Sequence, residues 1–131
     1  MKNLLLIITL CVSFYSIAKS KCDIEFKDYC ASVEFEKKPS RSYSSDFKLT
    51  FKDKKTKKVV IPSRNVDAYL WMKMDNGHEH GSDKVKMTKM NDHFNFTNVW
   101  FVMVGNWKLF VSLGVKGESY EKESMLVEIG K

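Results

Sequence analysis

Apolar side chains in this chain recur at every second position and almost nowhere at helical spacing, and that alternation restricts the fold more than any other feature. "VDAYLWMKM" puts Val66, Ala68, Leu70, Met72 and Met74 on one face and Asp67, Tyr69, Trp71 and Lys73 on the other. "DFKLTF" aligns Phe47, Leu49 and Phe51, "NWKLFVSL" aligns Trp107, Leu109, Val111 and Leu113, and "SMLVEI" aligns Met125, Val127 and Ile129. Shorter stretches repeat the pattern at Val33 and Phe35, and at Val85 and Met87. A period of two is the signature of a strand with one face buried, and turn signals every eight to twelve residues suit an antiparallel sandwich. "HFNFTNVWFVM" reads as one long aromatic strand with a phase change near Asn98, the position of a bulge. The expectation is an all-β, immunoglobulin-like antiparallel β-sandwich of seven to eight strands. Trp107, Leu109, Val111, Val127, Phe47 and Leu49 should lie in its core.

The N-terminus bounds the compartment. "MKNLLLIITLCVSFYSIAKS" has an early lysine, an apolar run from Leu4 to Ala18, then small residues, which is the pattern of a secretory signal peptide. Ala18 and Ser20 fit a small-x-small cleavage site, so residues 1–20 are expected to be removed and residues 21–131 to form a single domain. A periplasmic or secreted location follows, with no transmembrane segment after cleavage. Kept as an anchor, the apolar run would be short for a span. Cys11 leaves with the signal peptide, and Cys22 and Cys30 remain as an even pair in an oxidising compartment, which predicts a disulfide. Two thiols holding a metal is the alternative, but common thiolate sites use a closer spacing.

Charge is mild. Removing Lys2 and Lys19 from the 22 Lys and Arg leaves 20 against 16 acids, a net charge of +4. The basic run "KDKKTKK", Lys52 to Lys58, could suit nucleic acid or anionic lipid, but it lies between two strand-like segments and reads as a solvated hairpin turn. Nucleic acid is excluded as a partner by an exported location.

Five methionines (Met72, Met74, Met87, Met90, Met103) and all three histidines (His78, His80, His93) fall within residues 72–103. Thioether with imidazole is a donor set for copper, whereas zinc would more often recruit thiolate or a third imidazole. Strand parity decides which of them can meet. If each connection reverses the chain, the strands at 66–74 and 94–103 run the same way. Met74, His78, His80 and Met103 then share one end of the sandwich, with His93 and the end of the Met87–Met90 strand at the other. The candidate metal site is therefore His78, His80, Met103 and Met74, with a copper ion as its cofactor. Against it stands a plainer reading: Met72, Met74 and Met87 continue core faces, and the histidines are residues of a polar loop or, for His93, a turn. Catalysis is not expected. No nucleophile elbow surrounds Ser82, Glu118 and Glu121 read as surface charges, and no glycine-rich loop could cradle phosphate.

"WMKMDNGHEHGS" followed by "FTNVWFVMVGNWKLFVSL" resembles the YtkA-like domain. The resemblance rests on Trp71, Met72, Met74, Gly77, His78, Gly81 and Ser82, then Phe101, Met103, Gly105, Trp107, Leu109 and Val111, and extends over roughly residues 31–129. Lys73 stands where the family usually has Pro, and Asp75-Asn76 is inserted before Gly77. The resemblance implies an immunoglobulin-like sandwich in an exported protein, and a relation to FixH-type proteins of copper and oxidase assembly. Two functions follow. One is a non-enzymatic exported copper carrier or assembly module, its partner a membrane or periplasmic protein in copper handling. The other is a metal-free interaction domain of the same fold, binding such a protein through its aromatic faces.

Overall fold

The computed structural model describes residues 21–131; the expected signal peptide, residues 1–20, lies outside the described residues. Ten strands follow in chain order: β1 (Ile24–Glu25), β2 (Tyr29–Phe35), β3 (Phe47–Asp53), β4 (Val59–Val60), β5 (Val66–Lys73), β6 (Glu79–Gly81), β7 (Lys86–Lys89), β8 (Phe94–Thr97), β9 (Gly105–Val115) and β10 (Glu118–Ile129). All pairings are antiparallel. One sheet runs β1-β2-β3-β8-β7, with β4 also paired to β3; the other runs β10-β9-β5-β6. One edge of β3 is shared along its length: Phe51 and Lys52 pair with β4, while Phe47 to Leu49 pair with β8. The expected two-sheet sandwich is therefore present, and the higher strand count comes from the very short β1, β4 and β6.

The alternation translates directly into burial. β5 alternates buried and exposed at all eight positions. Phe47, Leu49, Phe51, Trp107, Leu109, Val111, Leu113 and Val127 are all buried between the sheets. Aromatic rings fill much of the gap: Phe47 stacks on Phe96 at 4.8 Å, and Phe101 meets Trp107 edge-on at 5.6 Å. At about 25 cal/mol per Å² of buried apolar surface, this layer is the main source of stability.

Two expectations are corrected. The aromatic strand does not run to Met103 but ends at Thr97. Asn98 takes a left-handed conformation (φ 59°), and the chain then crosses to the other sheet with Val99 and Phe101 still buried. The phase change is thus a break, made by a residue type that tolerates positive φ. Met87 is not core: it is 42% exposed, because β7 is an edge strand whose four residues are all exposed. Val85, just before it, is buried as expected.

Cys22 and Cys30 are disulfide-bonded, with Cα atoms 5.5 Å apart. The bridge ties the chain ahead of β1 to β2, and so short a loop contributes on the order of 2–3 kcal/mol.

Candidate functional site

The β5–β6 hairpin positions the histidines. Its turn is Asp75-Asn76-Gly77; the Gly77 N–H donates to the Met74 carbonyl at 2.9 Å, and Gly77 has φ 84°, which glycine adopts without a steric penalty. Asn76 Oδ1 accepts from the His78 N–H at 3.0 Å and braces the turn. In the register, Met72 is opposite His80 and Lys73 opposite Glu79. One step further, the Met74 N–H donates to the His78 carbonyl at 2.8 Å, which puts Met74 opposite His78. Directly opposed residues project to the same face, with Cβ atoms about 4.5–5.5 Å apart. Met-x-Met on one strand therefore faces His-x-His on the other, and the four side chains share the inner face at an open sheet edge.

Their exposures differ along that array. Met72 is 8% exposed, as its place on the core face predicts, while Met74 is half-buried and both histidines are exposed. The ladder between β5 and β9 pairs Trp71 with Lys108, so its continuation brings Met74 level with Gly105, two residues from Met103. The Met72 side chain also reaches Gly105: a Cβ built there would lie 2.2 Å from Met72 Cε. Met103 is half-buried against the core, and its carbonyl accepts from Trp107 Nε1 at 3.0 Å. The β2–β3 loop closes the same end, where the Ser45 N–H donates to the Val99 carbonyl at 2.7 Å.

The structure thus brings Met74, His78, His80 and Met103 to one end of the sandwich, as strand parity predicts. Met72, which belongs to the same Met/His cluster and whose alternation places it on the core face, lies beside them. The spacing of the hairpin, Met-x-Met and His-x-His about a three-residue turn, carried that information, but only the register reveals it. His93 lies at the opposite end, before Phe94, with Nδ1 2.6 Å from Asp92 Oδ1. That contact, through its hydrogen bond with His93, holds the Asp92 carboxyl below its ordinary range. Met90 is at the same end as His93 and is 42% exposed.

Among the described residues, no three His, Cys, Asp or Glu side chains converge in a way that could hold a metal. Any metal at the hairpin would therefore be held by two imidazoles together with thioethers. That set fits a soft ion such as Cu(I), and fits zinc poorly.

The other end carries a separate network. Glu121 accepts from the Lys27 N–H at 2.9 Å and pairs with Arg64 at 2.6 Å, and Arg64 also donates to the Ser119 carbonyl at 2.8 Å. Partial burial pushes the Glu121 carboxyl up, but the Lys27 and Arg64 hydrogen bonds outweigh it and hold the group below its ordinary range. An open cleft of about 380 Å³ lies over these groups, with Tyr29 and Tyr120 in its walls.

Among the described residues no helix is long and apolar enough to cross a membrane. A disulfide in a small β-domain is consistent with an exported protein. A search of curated proteins finds no match to the chain. The profile of the YtkA-like family matches residues 25–112, which takes in strands of both sheets, the Met/His hairpin and most of β9 but not β10, and the chain belongs to that family.

Proposed function

We propose that this protein is a non-enzymatic, exported metal-binding module, serving as a carrier or assembly factor for copper. His78 and His80 would be the principal ligands, with Met74 and Met103 completing the set and Met72 beside them. The observation that carries the reading is the β5–β6 register, in which Met72 and Met74 oppose His80 and His78. Two exposed imidazoles next to half-buried thioethers suit a carrier, since the ion would be reachable by a partner protein while its soft ligands stay partly shielded from water. Copper supplies no reaction here; the chain's own residues bind, orient and release it.

The competing reading is a metal-free interaction domain, and one observation favours it. On the outer face of the β10-β9-β5-β6 sheet, Tyr69 stacks on Phe110 at 5.0 Å, while Trp71 is 38% and Leu126 70% exposed. An apolar surface of this kind suits a protein partner.

Anaerobic titration of the purified chain with Cu(I) against a competing chelator separates the two. Wild type should bind one ion, His78→Ala with His80→Ala should abolish binding, and His93→Ala should leave it intact. Affinity in the wild type no tighter than about 1 mM would favour the interaction domain. A double variant that binds as tightly as wild type would place the site elsewhere.

A further inference from the structure

Three hairpin tips meet at the end of the sandwich remote from the Met/His corner. The tip between β1 and β2 is joined to that between β3 and β4 by the Lys54 N–H, which donates to the Asp28 carbonyl at 2.9 Å. It is joined to the start of β10 by the Lys27 N–H on Glu121 at 2.9 Å. Each tip is set by local chemistry. Asp53 Oδ1 accepts from the N–H groups of Lys55 and Thr56 at 2.8 and 2.9 Å, which bends the lysine run into a turn. Gly114 (φ 90°) and Gly117 (φ 99°) shape the β9–β10 tip, where the ladder shifts register between Glu118 and Glu121.

The lysine run alone is a solvated turn; its neighbours change that. Lys27, Lys55, Lys57, Lys58 and Lys116 are all exposed at these tips. Of the acids nearby, Glu25 pairs with Lys54 at 2.9 Å, Glu121 with Arg64 at 2.6 Å, and Asp53 is engaged by its own turn. Among the described residues of the tips, Asp28, Asp53 and Glu118 stand against the five exposed lysines, since the backbone hydrogen bonds to Asp53 leave its charge in place. Apolar side chains stand among them: Val59 is 44% exposed, Val115 52% and Tyr120 42%. A hairpin tip facing water gains nothing from exposed valine. Exposed lysines next in the chain to exposed valines at two of the tips, with Tyr120 at the start of β10, match an anionic bilayer, with phosphates over the ammonium groups and apolar side chains at the headgroup boundary.

We infer that the tip end is a docking surface for anionic phospholipid membranes, built from the lysines of the β3–β4 and β9–β10 hairpins together with Val59, Val115 and Tyr120. Docked in this way, the sandwich stands with the Met/His hairpin turned away from the lipid, toward soluble partners. The inference does not depend on whether the hairpin binds copper.

Cosedimentation of the full chain with phosphatidylcholine vesicles, with and without phosphatidylglycerol, tests it. The readout is the gain in binding due to the anionic lipid; Lys2 and Lys19 add to it equally in every variant, so the differences between variants isolate the tips. Wild type should show that gain, and salt should reduce it. Lys55→Gln, Lys57→Gln and Lys58→Gln together should lower the affinity about a hundredfold, at roughly fivefold for each lysine near the surface. Val115→Ser with Tyr120→Ser should weaken it about tenfold or more. Lys37→Gln with Lys38→Gln, at the other end, should change nothing, and matching unfolding curves should show every variant folded. The proposal is overturned if wild type gains nothing from phosphatidylglycerol, or if the Lys37/Lys38 variant loses as much as the tip variant. It is overturned equally if the Val115/Tyr120 variant binds vesicles like wild type while heparin displaces both, since the tips would then read soluble polyanions rather than a bilayer.

Discussion

At the tip end of the sandwich three carboxylates hold the fold while the lysines around them stay exposed: Glu121 accepts from the Lys27 N–H and pairs with Arg64, Asp53 caps its own turn, and Glu25 holds Lys54. At the Met/His end the hydrogen bonds that define the hairpin come from the backbone and from Asn76, and the imidazoles take no part in them. The tip end commits these carboxylates to the fold, while the Met/His end holds itself with backbone and Asn76 and leaves its imidazoles spare. Groups that a fold does not need are the ones free to bind something else, and this is the physical case for looking at the Met/His hairpin.

The sharpest way to break the comparison uses one glycine from each end. At the tip end, a Cβ on Gly114 would lie 2.6 Å from the Ser119 carbonyl oxygen, which is backbone inside a register shift and has little room to move. At the other end, a Cβ on Gly105 would meet only Met72 Cε, the free end of a flexible side chain. Both have positive φ, 90° and 132°, so alanine is strained at either. Gly114→Ala should therefore cost about 2–4 kcal/mol, and Gly105→Ala about 1–2 kcal/mol, in denaturant unfolding. The Gly105 variant should also displace the Met72 thioether and weaken Cu(I) binding, which Gly114→Ala should leave alone. Equal costs would mean that the two ends are equally yielding.

A smaller effect should separate the ends by pH. The Glu121 carboxyl is held below its ordinary range in the folded protein, so its contribution is fully present above the unfolded carboxylate range. It is lost as pH falls through the lowered folded value. Glu121→Gln should cost about 1–2 kcal/mol at neutral pH, since it gives up charge-assisted bonds to Lys27 and Arg64. The gap between variant and wild type should close on acidification. A gap that stays constant with pH would show that the lost contacts owe nothing to the carboxylate charge.

The fold was legible in the sequence because burial in a sandwich obeys one rule, alternation, and β5 and the lower half of β9 follow it residue by residue. Met87 shows where the rule ends. It shares phase with buried Val85, but phase says nothing about whether a strand has a neighbour on each side, and β7 is an edge. Asn98 shows a second limit: the pattern marked a change of phase, yet whether a chain bulges and continues or breaks and crosses sheets depends on pairings far away in sequence. The candidate site was legible to the extent that parity alone places the ends of strands. The opposition of Met72 to His80 is a matter of register, set by the length of the turn at Asp75-Asn76-Gly77, and was not.

The smallest expected effect is the most telling for function. His78 and His80 are exposed, at a hairpin whose hydrogen bonds use backbone atoms and Asn76. Surface substitutions that break no buried contact and no cap change stability by about 0.5 kcal/mol or less. His78→Ala with His80→Ala should therefore leave the unfolding midpoint of the metal-free protein nearly unchanged. Saturating Cu(I) should stabilise wild type, because an ion that binds only the folded state adds to its stability in proportion to the logarithm of its concentration over Kd. The double variant should show no such gain. A metal-free double variant that is markedly less stable would mean that the histidines belong to the structure of the hairpin, and the contrast between carboxylates committed at one end and imidazoles spare at the other would fail.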